Sequence, residues 1–182
     1  MERKATYRMT EMAILTALSI VLLLLIQFPI FPAAPYLKYD MADVPIILGG
    51  LLLGPLPGLL ILALAAAIQA FLIVGDGIIG FLMHFLASSI LMLLPAIFFR
   101  HSHKKSRVIT GGVLGVLAMA AMMAFWNLIF TPIYTGMPRA DVVPLLLPVI
   151  IPFNLIKGGV NMLISFVLYH ALNPVHRRVY QH

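Results

Sequence analysis

Val44-Pro45-Ile46-Ile47-Leu48-Gly49-Gly50-Leu51-Leu52-Leu53, followed by Gly54-Pro55-Leu56-Pro57-Gly58, is the stretch on which the architecture of this chain turns. Its first part is apolar without a break, yet ten residues of helix reach only roughly 15 Å at ~1.5 Å per residue, against a hydrocarbon core of ~30 Å. Five longer apolar stretches surround it, at residues 10–28, 59–74, 77–99, 108–130 and 149–169. Whether the short run counts as a crossing sets the parity of the whole topology.

The basic residues decide that parity. Nine of the twelve fall in three clusters: Arg3, Lys4 and Arg8; Arg100, Lys104, Lys105 and Arg107; and Arg177 with Arg178. The positive-inside rule asks for all three in the cytoplasm, which requires an even number of crossings between the first cluster and the second. Residues 44–58 are therefore read as one thin or broken span. The expectation is an all-α, six-helix membrane bundle forming a single domain over 1–182, with both termini cytoplasmic and outer loops at 29–43 and 131–148. The composition agrees: 62% of the residues are hydrophobic and 10% charged, where soluble chains carry about 25% charged residues. In so apolar a chain the net charge of +6 reports orientation relative to the membrane, and nucleic acid is not an expected partner.

The basic flank and apolar run at the N-terminus also fit a signal peptide. The small residues after it, Ala33 and Ala34, sit between Pro32 and Pro35, so the run is read as an uncleaved first helix. Both outer loops are rich in proline and aromatic residues. Proline fixes φ and removes a donor, so these loops are expected to be stiff and to form a lid over a cavity.

The catalytic catalogue is mostly negative. With no cysteine there is no thiol nucleophile, disulfide or Cys-ligated metal, and neither a G-x-x-x-x-G-K-S/T phosphate loop nor an H-E-x-x-H zinc helix is present. No metal site and no cofactor are expected. Tyr39-Asp40 and Gly75-Asp76 invite comparison with intramembrane aspartyl proteases, whose two carboxylates share a proton, but Ile73 stands where the G-x-G-D pattern needs glycine. Simpler roles are an N-cap for Asp43 and an ion pair with Lys38 for Asp40.

Asn154, Lys157 and Asn161 are spaced i, i+3, i+7, which puts two amides and an ammonium on one face of the last helix. A cation in a membrane helix usually faces protein or a cavity. Snorkelling to the headgroups would explain Lys157 but not its amide neighbours, so a polar pocket is expected in the outer half of the bundle. Asn127, at similar depth on the fifth helix, is either a ligand contact or a helix-to-helix hydrogen bond. Phe125, Trp126, Phe130 and Tyr134 are read as an interfacial belt. His84 is a candidate for the pocket wall or a packing residue, while His101 and His103 are read as solvated. Ala13 and Ala17, one turn apart, form a small-xxx-small face on which another helix could pack.

Leu37-Lys38-Tyr39-Asp40-Met41-Ala42-Asp43-Val44-Pro45, the segment from Gly77 through His84 to Ser89, and Pro152-Phe153-Asn154-Leu155-Ile156-Lys157-Gly158 together resemble the riboflavin-specific substrate-binding (S) components of energy-coupling-factor vitamin transporters. The resemblance spans nearly the whole chain. It implies a multi-pass protein of a prokaryotic cell membrane that captures riboflavin without covalent chemistry, leaving open whether flavin mononucleotide (FMN) also binds. It further implies as partners a coupling membrane protein (the T component) and two ATPase subunits. Asn127, Asn154 and Lys157 match the residues that hold the flavin ring in that family. Leu37, Lys38, Tyr39, Asp40 and Met41 match its first loop, with His84 and Asn161 as further candidates for the wall. Ala13 and Ala17 match the family's docking face. Ala42 departs from the pattern, since a small hydroxyl residue is expected there. The alternatives are an S component for another vitamin or flavin nucleotide, the protease, and a ligand-free assembly protein.

Overall fold

The computed structural model describes residues 2–101 and 104–181. In chain order it contains α1 (Glu2–Leu25), β1 (Gln27–Pro29), β2 (Lys38–Asp40), α2 (Asp43–Leu53), α3 (Pro55–Ile68), which runs on as a π-helical turn over Gln69–Ile73, α4 (Gly77–His101), α5 (Lys105–Thr135), the short α6 (Arg139–Val142), and α7 (Ile151–Gln181). Between α6 and α7 lie a 3-10 turn, Val143–Leu145, and a second π-helical turn, Leu146–Ile150. Among the described residues, five helical segments are long and apolar enough to cross a membrane, and Asp43–Leu53 is a shorter apolar helix.

The short helix is explained by its surroundings. A helix that is apolar all round belongs inside a protein, and α2 is buried from Asp43 to Leu51, packed against α1, α3, α4 and α7. It need not match the bilayer because its neighbours do. The expected span over 44–58 needs correction at its end. The helix stops at Leu53, Gly54 takes a positive φ of 103°, and Pro55 opens α3. Gly50 and Gly58, four residues before and after Gly54, then meet, and a Cβ on Gly58 would lie 2.8 Å from the Gly50 Cα. The chain has turned back on itself, and two glycines allow its arms to touch backbone to backbone.

Other boundaries shift for a common reason: hydropathy marks the membrane, whereas helices continue beyond it. The first helix begins at Glu2 and the last reaches Gln181, well outside the apolar stretches 10–28 and 149–169. At its far end the first helix stops at Leu25, because Gln27–Pro29 pairs antiparallel with Lys38–Asp40. The connection 29–43 thus carries one strand of a small ladder. Residues 131–148, expected as a loop, are helical through Thr135, where Gly136 closes α5 in a left-handed conformation with φ 72°, and from Arg139 onward. The side chain of Asp43 does not cap α2, whose N-cap is Ala42 without a side-chain bond.

The two connections pack on each other. Ala34, Leu37 and Tyr39 from the first form a buried apolar cluster with Val142, Val149, Ile150 and Phe153 from the second and the start of α7. This cover closes one end of the bundle. At the other end Glu11 lies 2.9 Å from His176, and Arg8 donates to the carbonyl of Leu53 at 2.9 Å, so the polar ends of both terminal helices lie together. His101 there is exposed, while His103 lies outside the described residues.

The Gly50–Gly58 contact makes a direct prediction. Gly58→Val forces the arms of the hairpin apart, and overpacking of this kind costs about 1–3 kcal/mol. Thermal unfolding in detergent should show a lowered midpoint, whereas Gly159→Ala, where an added Cβ meets nothing within 4 Å, should not.

Candidate functional site

The covered end of the bundle holds a concentration of buried charge. At the junction of β2 and α2, Asp40 and Asp43 are buried three residues apart. Lys157 on α7 donates to Asp40 Oδ2 at 2.7 Å, so the expected Asp40–Lys38 pair does not form, and Lys38 is exposed. The other Asp40 oxygen accepts the Ala42 N–H at 3.1 Å, a local turn that aspartate favours. Asp43 accepts a hydrogen bond from Ser88 of α4. Its Oδ1 also lies 3.4 Å from His84 Nε2, too poorly directed for a hydrogen bond, which leaves both ring nitrogens of His84 without one.

Asn161 ties this junction together. Its Nδ2 donates to the Asp40 carbonyl at 3.0 Å and reaches Asp43 Oδ2 at 3.4 Å, and its Oδ1 accepts from the Tyr39 hydroxyl at 3.0 Å. Burial raises the Tyr39 pKa above the ordinary phenol value, and neighbouring Asp40 pushes it the same way, so the hydroxyl stays a donor. Ser19 of α1 adds a 2.7 Å bond to the Ala42 carbonyl. Three helices, α1, α4 and α7, therefore converge on the junction where β2 passes into α2.

Beside this network is a cavity of about 220 Å³. Its wall includes Leu37, Lys38, Asp40, His84, Asn127, Asn154 and Lys157, seven of the residues singled out in the sequence. Tyr39, Met41 and Asn161 are not brought to the wall. Tyr39 and Asn161 lie in the network beneath it, and Met41 packs against the apolar core. Asn127 and Asn154 are both buried and use one N–H on the carbonyl four residues earlier, each at 2.8 Å. Asn127 also accepts from Thr131 at 2.8 Å. Each amide keeps a second N–H, and these helix-internal bonds hold the side chains toward the cavity. Apolar surface comes from Met83, Met119, Met123 and Phe153. Of the four aromatics read as a belt, Tyr134 reaches the wall, while along α5 Phe125 meets Trp126 edge-on and Trp126 stacks on Phe130.

Sequence reasoning missed Gln27, Tyr36, Gln69 and Thr131, and considered Asp76 only as a protease carboxylate; all five line the cavity. Gln69 had a legible signal, being the one amide in the apolar stretch 59–74, and polar residues in membrane helices mark function by default. It opens a π-helical turn, a feature frequent at functional sites. Burial raises the Asp76 pKa above the usual carboxylate value, with its own backbone N–H and His84 opposing.

The family model described as "ECF transporter, substrate-specific component" matches residues 7–169. The chain belongs to that family of multi-pass membrane proteins. Among its relatives, riboflavin transporter FmnP of Bacillus subtilis (strain 168) is 30% identical over 178 residues, 92% of each chain. Riboflavin transporter RibU of Staphylococcus aureus (strain TCH60) is 28% identical over 179 residues, 94% of this chain and 93% of the relative. A solved structure, described as the S component of a bacterial ECF transporter, superposes with a TM-score of 0.81 at 27% identity, covering 94% of this chain and 98% of that one. Ala13 and Ala17 are both exposed on α1, on the side turned away from buried Leu15 and Ser19.

Removing one member of a buried ion pair strands the other, at a cost of about 3–5 kcal/mol. Lys157→Met should therefore lower the thermal midpoint strongly, and adding Asp40→Asn to it should recover most of the loss. Equal instability of the single and double variants would show that the pair does not hold the junction.

Proposed function

We propose that this chain is the riboflavin-capturing subunit of an energy-coupling-factor transporter. The observation that carries the reading is the convergence of Asn127, Asn154 and Lys157, from two different helices, on one cavity with a largely apolar wall. An isoalloxazine ring is apolar on its faces and presents a uracil-like edge, an imide donor between two carbonyl acceptors. An asparagine amide donates and accepts in one plane, and an ammonium whose charge is balanced by Asp40 still has two donors to offer. The relatives named as riboflavin transporters support the same ligand.

A cavity of about 220 Å³ falls below the ~300–1,000 Å³ usual for drug-sized ligands, so the cover formed by the two connections withdraws to admit the ring and settles over it afterwards. Capture is then reversible binding without covalent chemistry. The protease alternative is disfavoured by the carboxylates themselves, since Asp40 is committed to Lys157 and the Ala42 N–H. Orientation follows the positive-inside rule: the end carrying Arg8 and Arg100 faces the cytoplasm, as do both termini. Energy comes from partners, a T component packing on Ala13 and Ala17 and two ATPase subunits.

Purified in detergent, the protein should quench the fluorescence of added riboflavin or arrive already yellow. Asn127→Leu and Asn154→Leu should each weaken binding about ten- to a hundredfold, because each leaves polar flavin atoms buried without partners. Colourless preparations that fail to quench riboflavin would overturn the assignment, and binding of a different vitamin would redirect it. The docking face is tested separately. In the Ala13→Trp, Ala17→Trp double variant riboflavin binding should persist, while co-purification with the coupling module and ATP-driven uptake are lost.

A further inference from the structure

The opposite end of the bundle, which the basic clusters assign to the cytoplasm, carries a groove of about 510 Å³ that the flavin site does not use. It is bounded by the tip of the α2–α3 hairpin, by Arg8 of α1, and by Ala96, Phe99 and Arg100 of α4. Two guanidinium groups line it and no carboxylate does. Arg8 donates to the Leu53 carbonyl at 2.9 Å, leaving the rest of its guanidinium fork to another acceptor. The hairpin adds to the positive field, since α3 begins at Pro55 with no side-chain cap and the start of a helix carries partial positive charge. From the groove toward the middle of the membrane, α3 presents Leu56, Leu60 and Leu64, all exposed. Their i, i+4, i+8 spacing puts them on one face, a track of roughly 12 Å at ~1.5 Å per residue.

We propose that this groove binds an anionic phospholipid of the cytoplasmic leaflet, its headgroup phosphate held by Arg8 and Arg100 and an acyl chain laid along Leu56, Leu60 and Leu64. Guanidinium groups bind phosphate oxygens in pairs, and basic pockets on the cytoplasmic side of helix bundles take acidic headgroups. Charge alone would accept any anion. The leucine track, continuous with the groove and open to lipid, favours an anion that brings its own hydrocarbon. A protein occupant is disfavoured by the faces of α1: Arg8 shares its side of the helix with buried Leu15 and Ser19, whereas Ala13 and Ala17 are exposed on the other side. The lipid joins α1, the hairpin and α4 at one point, so its binding stabilises the folded chain whether or not a flavin is present.

The test is a titration of the full chain in dodecyl maltoside micelles with phosphatidylglycerol, read by the thermal midpoint. The midpoint should rise and saturate, whereas equal amounts of phosphatidylcholine, of inorganic phosphate or of the deacylated headgroup should leave it in place. Because Arg8 also braces the end of α2, Arg100→Gln is the primary variant. It should raise the phosphatidylglycerol needed for half the shift about five- to tenfold, and Lys104→Gln, outside the groove, should not. A flat response to phosphatidylglycerol, an equal response to phosphatidylcholine, or equal losses in Arg100→Gln and Lys104→Gln would overturn the proposal. Saturation by inorganic phosphate or by the deacylated headgroup would overturn it in favour of a free anion. So would an Arg100→Gln chain that keeps its phosphatidylglycerol response but no longer co-purifies with the coupling membrane protein, since the groove would then belong to that partner.

Discussion

Two carboxylates three residues apart, both enclosed in a membrane bundle, set the terms for the rest of this molecule. An ionisable group at such a place is expensive and persists only with partners. Asp40 has Lys157 and a backbone N–H, and Asp43 has Ser88 and Asn161 with the His84 ring nearby. These partners come from α4 and α7, while α1 contributes Ser19 to the carbonyl between the two acids. Elements distant in sequence are therefore fixed to one junction by electrostatic need, where apolar packing against lipid-like neighbours would be indifferent.

The site inherits its character from that junction. Lys157 stands on the cavity wall without making the wall positive, because Asp40 balances its charge. An ammonium has three donors, so one lysine can hold the β2 strand and still reach a bound molecule. The cover, the strand and the cavity share a single side chain, and movement of the first connection necessarily changes the field inside the cavity. Asn161 and Tyr39 act one layer further out, setting where that strand lies.

Composition and the charge clusters made the helical membrane architecture legible, and the i, i+3, i+7 spacing made one polar face of α7 legible. What stayed hidden depended on pairing across the chain. Nothing local to Asp40 says that its partner is Lys157, 117 residues away, and the neighbouring Lys38 offered a nearer and wrong choice. Asp43 sits before a proline at a helix start, which suits a cap, so its role as an acceptor for Ser88 was masked by a local motif. Helix ends were overrun because hydropathy falls at the membrane boundary while backbone hydrogen bonding does not. Gln69 was within reach of sequence reasoning, since a lone amide in an apolar membrane stretch is costly unless it faces a cavity or another helix.

The enclosure of α2 bears on how the chain is made. This segment emerges early from the ribosome, after α1, yet it is too short to rest across a bilayer unaided and begins with an acid that lipid will not accept. The groups that receive it are supplied by α4 and by α7, whose Asn161 lies 118 residues beyond Asp43. Until then α2 can only be held at the interface or in a provisional pairing with α1 and α3. Its final seating thus waits for α7 to emerge, and a chain that lacks α7 has nowhere to put its second helix.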